Sequence, residues 1–346
     1  MHETLVELVE RSGAEVISVV GLAKNSGKTT TLLYLVGHLG AGPGRIALTS
    51  TGRDGEAVDE ITGRQKPRVA IRRGTLATTG QQSLRVGEGL SVVRETPYVT
   101  ATGRIMVVRA DRTADVVLEG PATGGQMGRL VSDLIEHEGA DRVIIDGSLD
   151  RIAAAAPGIS EGVILAAGAV LGPDIKTAVD KTRHATRLFM TGQSQLSVPS
   201  ASGATRYCAV SGDGSTWETC EGSAITDLAS VVRLLRKEGR YLFISGALSD
   251  GVLEALMGNG LYPVVIVKDA TRLFVTERVA ALFVAGGGVI QVEQMIRLIA
   301  LTVNPHNPEG VDFKPDDFLA SMRQAIPDVP VFDIVREESS GIETRP

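Results

Sequence analysis

An α/β fold with a mostly parallel, doubly wound sheet is predicted for this chain on three observations. Apolar, β-branched runs at 16–20, 143–145, 162–166 and 264–267 alternate with stretches whose apolar residues recur at helical spacing. A loop of glycines and lysine joins the first such run to the first such helix. Polar residues stand directly after several runs, where open parallel sheets bind their ligands.

The first run belongs to the stretch 15–39, EVISVVGLAKNSGKTTTLLYLVGHL. Gly21, four free residues and then Gly27-Lys28-Thr29 make a complete phosphate-binding loop. After it Leu32, Leu33, Leu35, Val36 and Leu39 mark a helix, so the context is strand, loop, helix, which argues against a chance match in a Gly-rich chain. The glycines let successive N–H groups converge on a polyphosphate at the positive end of that helix. Gly21, Lys24, Asn25, Ser26, Gly27, Lys28, Thr29 and Thr30 are therefore the expected nucleotide-binding residues. Lys28 is expected to reach the β- and γ-phosphates, and Thr29 to ligate Mg²⁺ through its hydroxyl. Together these residues imply a P-loop nucleoside triphosphatase. Lys24 suggests the deviant loop of partitioning ATPases, but it lies four residues before Lys28 where that group places its lysine five before. A solvated loop lysine is the favoured reading.

Composition sets outer bounds. The chain has 346 residues, enough for one large or two ordinary domains. Apolar residues at 43% and charged residues at 22% lie near a globular average, which excludes disorder of the whole. The net charge of −6, with no basic run interleaved with aromatics, argues against a nucleic-acid surface. Cys208 and Cys220 lie in a Gly/Ser/Thr-rich segment without a CxxC or a histidine pair, and read as ordinary thiols rather than zinc ligands. The start, MHETLVELVERSG, is acidic and amphipathic, and no run approaches a membrane span. A cytoplasmic location is expected.

A second strand is read at 45–48, ending in TSTGRDGE. Asp54 and Glu56 there are candidates to hold Mg²⁺ through water or to orient an attacking water; a capped Asp-Gly turn is the equal alternative. Between 66 and 110 the runs RVAIRR, SVVRE and RIMVVRA, separated by Gly/Thr-rich turns, predict antiparallel strands inserted after the second sheet strand. The parallel rhythm is expected to resume at 115–120, a strand ending in Glu119, followed by a helix through Met127, Leu130, Val131, Leu134 and Ile135. Next, VIID places Asp146 at the end of a buried strand, where such ATPases hold the Mg²⁺ shell opposite Thr29. Asp146 is the expected catalytic carboxylate, with Glu119 its competitor. Ser148, Asp150 and Arg151 are candidates to face the γ-phosphate.

A nucleotide-binding domain is read over 1–200, with the β-rich insertion at about 66–110, and a second α/β domain for a partner or substrate over 201–336. The Gly/Ser/Thr-rich stretch 191–223 is the expected junction, and 337–346 a frayed tail. In the second region strands are expected at 241–245, 264–267, 289–292 and 298–303, with helices through Leu253 and through Val279 and Leu282. The loops 246–251 and 304–308 are polar strand ends suited to ligand contacts, with simple turns as the equal alternative.

The segments GLAKNSGKTTTL and TSTGRDGEAVDEITGRQKPRVAIRRGTL resemble the reactivating-factor ATPase subunit associated with lysine 5,6-aminomutase, over the first 80 residues. The resemblance implies an ATP- and Mg²⁺-dependent chaperone that releases damaged cobalamin from an adenosylcobalamin enzyme. Its implied partners are that aminomutase and a second reactivase subunit, with an oligomer compatible. Only the loop Gly21 to Thr29 carries over residue by residue. The rival is a small-molecule kinase or ATP-dependent ligase similar to dethiobiotin synthetase, in which the inserted β segment and the 191–223 loop would shape an acceptor pocket. ATP is favoured over GTP because no guanine-reading Asn/Thr-Lys-x-Asp follows a strand.

Overall fold

The computed structural model describes residues 3–39, 44–51, 68–84, 89–148, 154–199, 207–221 and 228–337. The chain divides into two units, one formed by 1–183 and 297–346, the other by 184–296. The elements of the first unit begin with α1 (Leu5–Ser12), β1 (Val16–Gly21), α2 (Lys28–Leu39), β2 (Ile46–Ser50), β3 (Val69–Ile71), β4 (Leu76–Gly80), β5 (Leu90–Thr100) and β6 (Gly103–Ala110). They continue with β7 (Ala114–Val116), α3 (Gly124–Glu136), β8 (Arg142–Ser148), β9 (Gly162–Gly168) and α4 (Ile175–Phe189), whose last turns enter the second unit. There follow β10 (Tyr207–Ser211), β11 (Glu218–Glu221), α5 (Leu228–Glu238), β12 (Tyr241–Ile244), β13 (Leu248–Ser249), α6 (Asp250–Gly258), β14 (Val264–Val267), β15 (Leu273–Phe274), α7 (Glu277–Ala285) and β16 (Val289–Val292). The chain then returns to the first unit with β17 (Leu298–Asn304), α8 (Pro315–Ala325) and β18 (Val331–Asp333).

A nine-stranded sheet organises the first unit, in the order β18-β17-β9-β1-β8-β2-β4-β6-β5. The first seven are mutually parallel, and β6 and β5 close the far edge antiparallel. The pleat sends alternate residues to two separate cores. Ile17, Val19, Ile46, Leu48, Ile144 and Ile164 join Leu5, Leu32 and Leu35 of α1 and α2 on one face. Val16, Ala47, Val143 and Ile145 join Met127, Leu130 and Leu134 of α3 on the other. Covered on both faces, these strands read as unbroken apolar runs, which is why they were legible as parallel strands.

The structure corrects several boundaries. Residues 297–336 do not belong with the second region: β17 pairs with β9, and β18 with β17, in the large sheet. The second unit is thus an insertion that starts in α4 and ends at Ile296. Its own sheet runs β11-β10-β12-β14-β16, and the stretch expected to be a loose junction supplies β10 and β11. Small residues disguise that hairpin, yet Tyr207, Cys208, Ala209 and Val210 are all buried. Its turn is built by Asp213, which accepts hydrogen bonds from Ser215 Oγ and from the N–H groups of Ser215 and Thr216. Those bonds hold its carboxyl well below the usual range.

Among the inserted strands β4, β6 and β5 pair antiparallel with one another as expected, but β4 joins β2 in parallel, so the insertion extends the main sheet beyond β2. The expected strand at 115–120 is only the short β7, paired with β3 outside that sheet. Among the described residues no helix is long and apolar enough to cross a membrane.

The tail expectation also changes at its first residue. Glu337 Oε2 accepts a hydrogen bond from Tyr34 Oη at 2.8 Å and one from the Leu5 N–H at 3.5 Å, close to α1 and its Thr4–Glu7 capping box. Burial raises the Glu337 carboxyl above its ordinary value, against the pull of these bonds. A raised folded-state pKa favours folding most where the group is protonated. That contribution is present below the ordinary value of 4.5 and is lost as pH rises through the folded value. Glu337→Gln should therefore flatten this part of the pH profile and gain stability relative to the parent above that range. Urea denaturation of both proteins across mildly acid to neutral pH checks it, and parallel profiles would refute it.

Candidate phosphate-binding site

Between β1 and α2 the loop turns sharply, and its geometry explains its glycines. A β-carbon on Gly21 would stand 2.7 Å from Ser26 Oγ. Gly27 has φ +94°, and a β-carbon there would stand 2.7 Å from Asn304 Cβ. Asn25, at φ 62°, is the one non-glycine residue with positive φ among the described residues. Asparagine tolerates this region best, and such an outlier must be held by its surroundings. Here Asn304 Nδ2 donates to the Asn25 carbonyl at 3.1 Å, and Asn25 Nδ2 lies 3.5 Å from Glu309 Oε1. The Leu22 N–H donates to the Ala166 carbonyl, tying the loop to the end of β9 as well.

Helix α2 begins at Lys28 and carries no acidic residue in its first turn, so its positive end is not neutralised by its own side chains. The N–H groups of Lys28, Thr29 and Thr30 have no acceptor one turn earlier within the helix. Further in, Thr31 Oγ1 bonds the Gly27 carbonyl and Thr302 Oγ1 of β17, at 3.2 and 2.7 Å, fixing the helix against the sheet. The Ser26 hydroxyl is buried without a hydrogen-bond partner among the described residues, which is uncommon for a buried polar group.

Register places Val19 of β1 beside Asp146 of β8, and Asp146 beside Ser50 of β2. Lys28 Nζ lies 3.0 Å from Asp146 Oδ1, both side chains about three-quarters buried. The end of β2 wraps the Asp146 main chain: its carbonyl accepts from the Thr51 N–H at 3.1 Å and from Ser50 Oγ at 3.2 Å. Lys28 and Asp146, which the sequence assigned separately to phosphate and to metal, thus lie within ion-pair distance of each other in the fold.

Glu119 stands differently. It lies after β7 in irregular backbone, bridged to β4 by its N–H to the Thr78 carbonyl and by Thr78 Oγ1 to its own carbonyl. Its carboxylate is buried and accepts from Ser83 Oγ and Thr102 Oγ1. These bonds hold it beside the β4–β6 wing, where a β-carbon on Gly80 would touch it. The expected placement at the end of a sheet strand is corrected accordingly: β7 ends at Val116. Lys24 is exposed on the loop. Asp54, Glu56, Asp150, Arg151 and the side chain of Ser148 lie outside the described residues.

Sequence reasoning marked the loop after Asn304 as a strand-end loop but assigned it to the wrong region. In the fold it adjoins the phosphate-type loop. His306 Nδ1 pairs with Asp312 at 2.9 Å, and Asp312 Oδ1 accepts from the Asn307 N–H at 2.7 Å, closing it into a compact turn. The signal that could have found it was the one that found Asp146: a polar residue ending an apolar strand.

Among the described residues no group of three or more His, Cys, Asp or Glu side chains could hold a metal ion. A cation here would draw on Asp146 and Thr29 and take the rest of its shell from phosphate and water, as Mg²⁺ commonly does. No protein-family model, curated protein or solved structure matches this chain.

Two glycines of this segment make a paired test of the geometry. Gly27→Ala should lose about 1–3 kcal/mol of stability, because its φ is positive and its β-carbon meets Asn304. Gly37→Ala, in α2 with open space around it, should instead gain about 0.5–1 kcal/mol. Urea denaturation of the two variants reads the opposite signs, and equal effects would reject the assignment.

Proposed function

We propose that this chain is a Mg²⁺-dependent P-loop nucleoside triphosphatase that uses ATP. The observation that carries the reading is the ion pair between Lys28, first residue of the helix after the glycine loop, and Asp146, at the end of the adjacent parallel strand. In P-loop nucleoside triphosphatases the loop lysine cradles the β- and γ-phosphates and the strand-end aspartate helps to hold the metal. Lys28 would exchange Asp146 for the phosphate oxygens, and Asp146 with Thr29 would hold Mg²⁺. Bound Mg²⁺ supplies charge neutralisation at the transferred group. The loop N–H groups and the positive end of α2 would orient the chain of phosphates. The buried Ser26 hydroxyl, without a hydrogen-bond partner among the described residues, suits a loop whose polar partners are completed by a ligand.

Within that class the reading is an ATP-driven reactivating chaperone of an adenosylcobalamin-dependent aminomutase. Its support is the sequence resemblance of the first 80 residues, together with a second α/β unit that carries no catalytic signature of its own. Hydrolysis by such proteins alternates loops between ordered and released states, which a partner reads. Slow basal turnover is expected, since a charge-stabilising arginine delivered in trans is worth orders of magnitude.

Phosphate release should fall by about a hundredfold or more in Lys28→Ala, the scale of losing one transition-state charge contact, with the fold retained by circular dichroism. Unchanged turnover would remove the site from consideration. Asp146→Asn should impair Mg²⁺-dependent turnover more than Glu119→Gln, because Glu119 is occupied by Ser83 and Thr102. The opposite order would transfer the metal to Glu119.

The chaperone reading is tested by measuring phosphate release alone, with inactivated holo-aminomutase, and with small-molecule acceptors. Stimulation by the aminomutase is the expected result. Stimulation by a metabolite alone, with its phosphorylation, would replace the chaperone by a small-molecule kinase and leave the phosphate loop in place.

A further inference from the structure

The chain contains two cysteines, and the fold brings them face to face. Cys208 on β10 is the direct register partner of Cys220 on β11 in an antiparallel pair. Opposed residues of antiparallel strands project from the same face with Cα atoms about 4.5 or about 5.5 Å apart. Either spacing lies within the range of about 4.4–6.8 Å that a disulfide bridges without backbone movement. Tyr207 and Ala209 face the cluster of Phe243 and Ile266, so by alternation Cys208 and Val210 face the other side of the sheet. That side is roofed by α5: a β-carbon on Gly239, just past the helix, would touch both Val210 Cγ1 and Leu235. Cys208 is 1% exposed and Cys220 8%, so only a small reagent reaches them, and Cys220 first.

We propose that Cys208 and Cys220 are a modification site, closing into a reversible cross-strand disulfide when the protein meets hydrogen peroxide. The Cys220 thiolate attacks one peroxide oxygen; an S–O bond forms, the O–O bond breaks, and the departing hydroxide takes up a proton to become water. The Cys208 thiolate then attacks the sulfenic sulfur; the S–S bond forms, the S–O bond breaks, and a second water leaves. Two thiols lose two protons and two electrons, and one peroxide becomes two waters. A dithiol reverses the bond by exchange. Because β11 is the edge strand of its sheet, the bond fastens an edge that otherwise rests on one neighbour. The inference is independent of the nucleotide reading.

The full-length reduced chain would be treated with a small excess of hydrogen peroxide, quenched, denatured and alkylated, then read by intact and peptide mass spectrometry. The expected product resists alkylation at both cysteines, weighs about 2 Da less than the reduced chain, yields a peptide linking Cys208 to Cys220, and reverts with dithiothreitol. Limited proteolysis should cut the β10–β11 hairpin more slowly in that product. In Cys208→Ser the resolving thiol is gone, and Cys220 should pass to sulfinic acid that dithiothreitol does not reverse. Full alkylation after peroxide, addition of oxygen without a linked peptide, or disulfides only between chains would each overturn the proposal; the unsubstituted protein alone decides it if the variant fails to fold.

Discussion

The placement of β1 between β8 and β9 is the constraint on which the site depends. Both neighbours are parallel to β1, so the three strands end at the same edge of the sheet. Gly21 therefore opens its loop beside Ser148 on one side and Ala166 on the other. The register that buries Val19 also fixes Asp146 beside it, and a slip of one residue would turn that carboxylate to the opposite face. Charge placement in the site is thus a by-product of hydrophobic register. The two apolar cores, one under α1 and α2 and one under α3, hold the register from both faces.

Within that frame the Lys28–Asp146 pair is neither fully buried nor fully solvated. Both side chains retain about a quarter of their exposure, so solvent screens the attraction. A fully buried pair would resist separation, because each ion would have to be repaired in a medium that solvates it poorly. On the proposed reading, a triphosphate offers Lys28 more negative charge than Asp146 does, and a cation gives Asp146 a replacement partner.

What the sequence made legible follows from the same physics. Strands covered on both faces must be apolar throughout, so β1, β8, β9, β14 and β17 stood out, and the sharp turn after β1 announces itself by Gly21 and Gly27, where a β-carbon has no room. Elements stabilised by short-range or distributed contacts were harder. The β10–β11 hairpin carries Cys, Ala and Ser where a strand signal wants larger side chains, and its Asp213 turn looks like loop composition. Glu119 ends an apolar run just as Asp146 does, but the run pairs with β3 and the carboxylate is taken up by hydroxyls. No local pattern distinguishes the two; strand order does. The same holds for β17, whose apolar run was clear while its partner β9, more than a hundred residues earlier in the chain, was not.

That long-range pairing gives the insertion a physical meaning. The chain leaves the first sheet through α4, builds the second unit, and returns as β17, which ends in Asn304. Asn304 is the residue that donates to Asn25 and limits the space at Gly27. The strained loop conformation is therefore supported by a strand that cannot be laid down until the whole second unit has been traversed. Asn25 at positive φ persists only while that support is in place, since an unsupported residue would relax to the ordinary regions of backbone space. Folding of the loop is consequently coupled to closure of a sheet pairing across the insertion, and the loop's shape depends on Asn304 as much as on its own glycines.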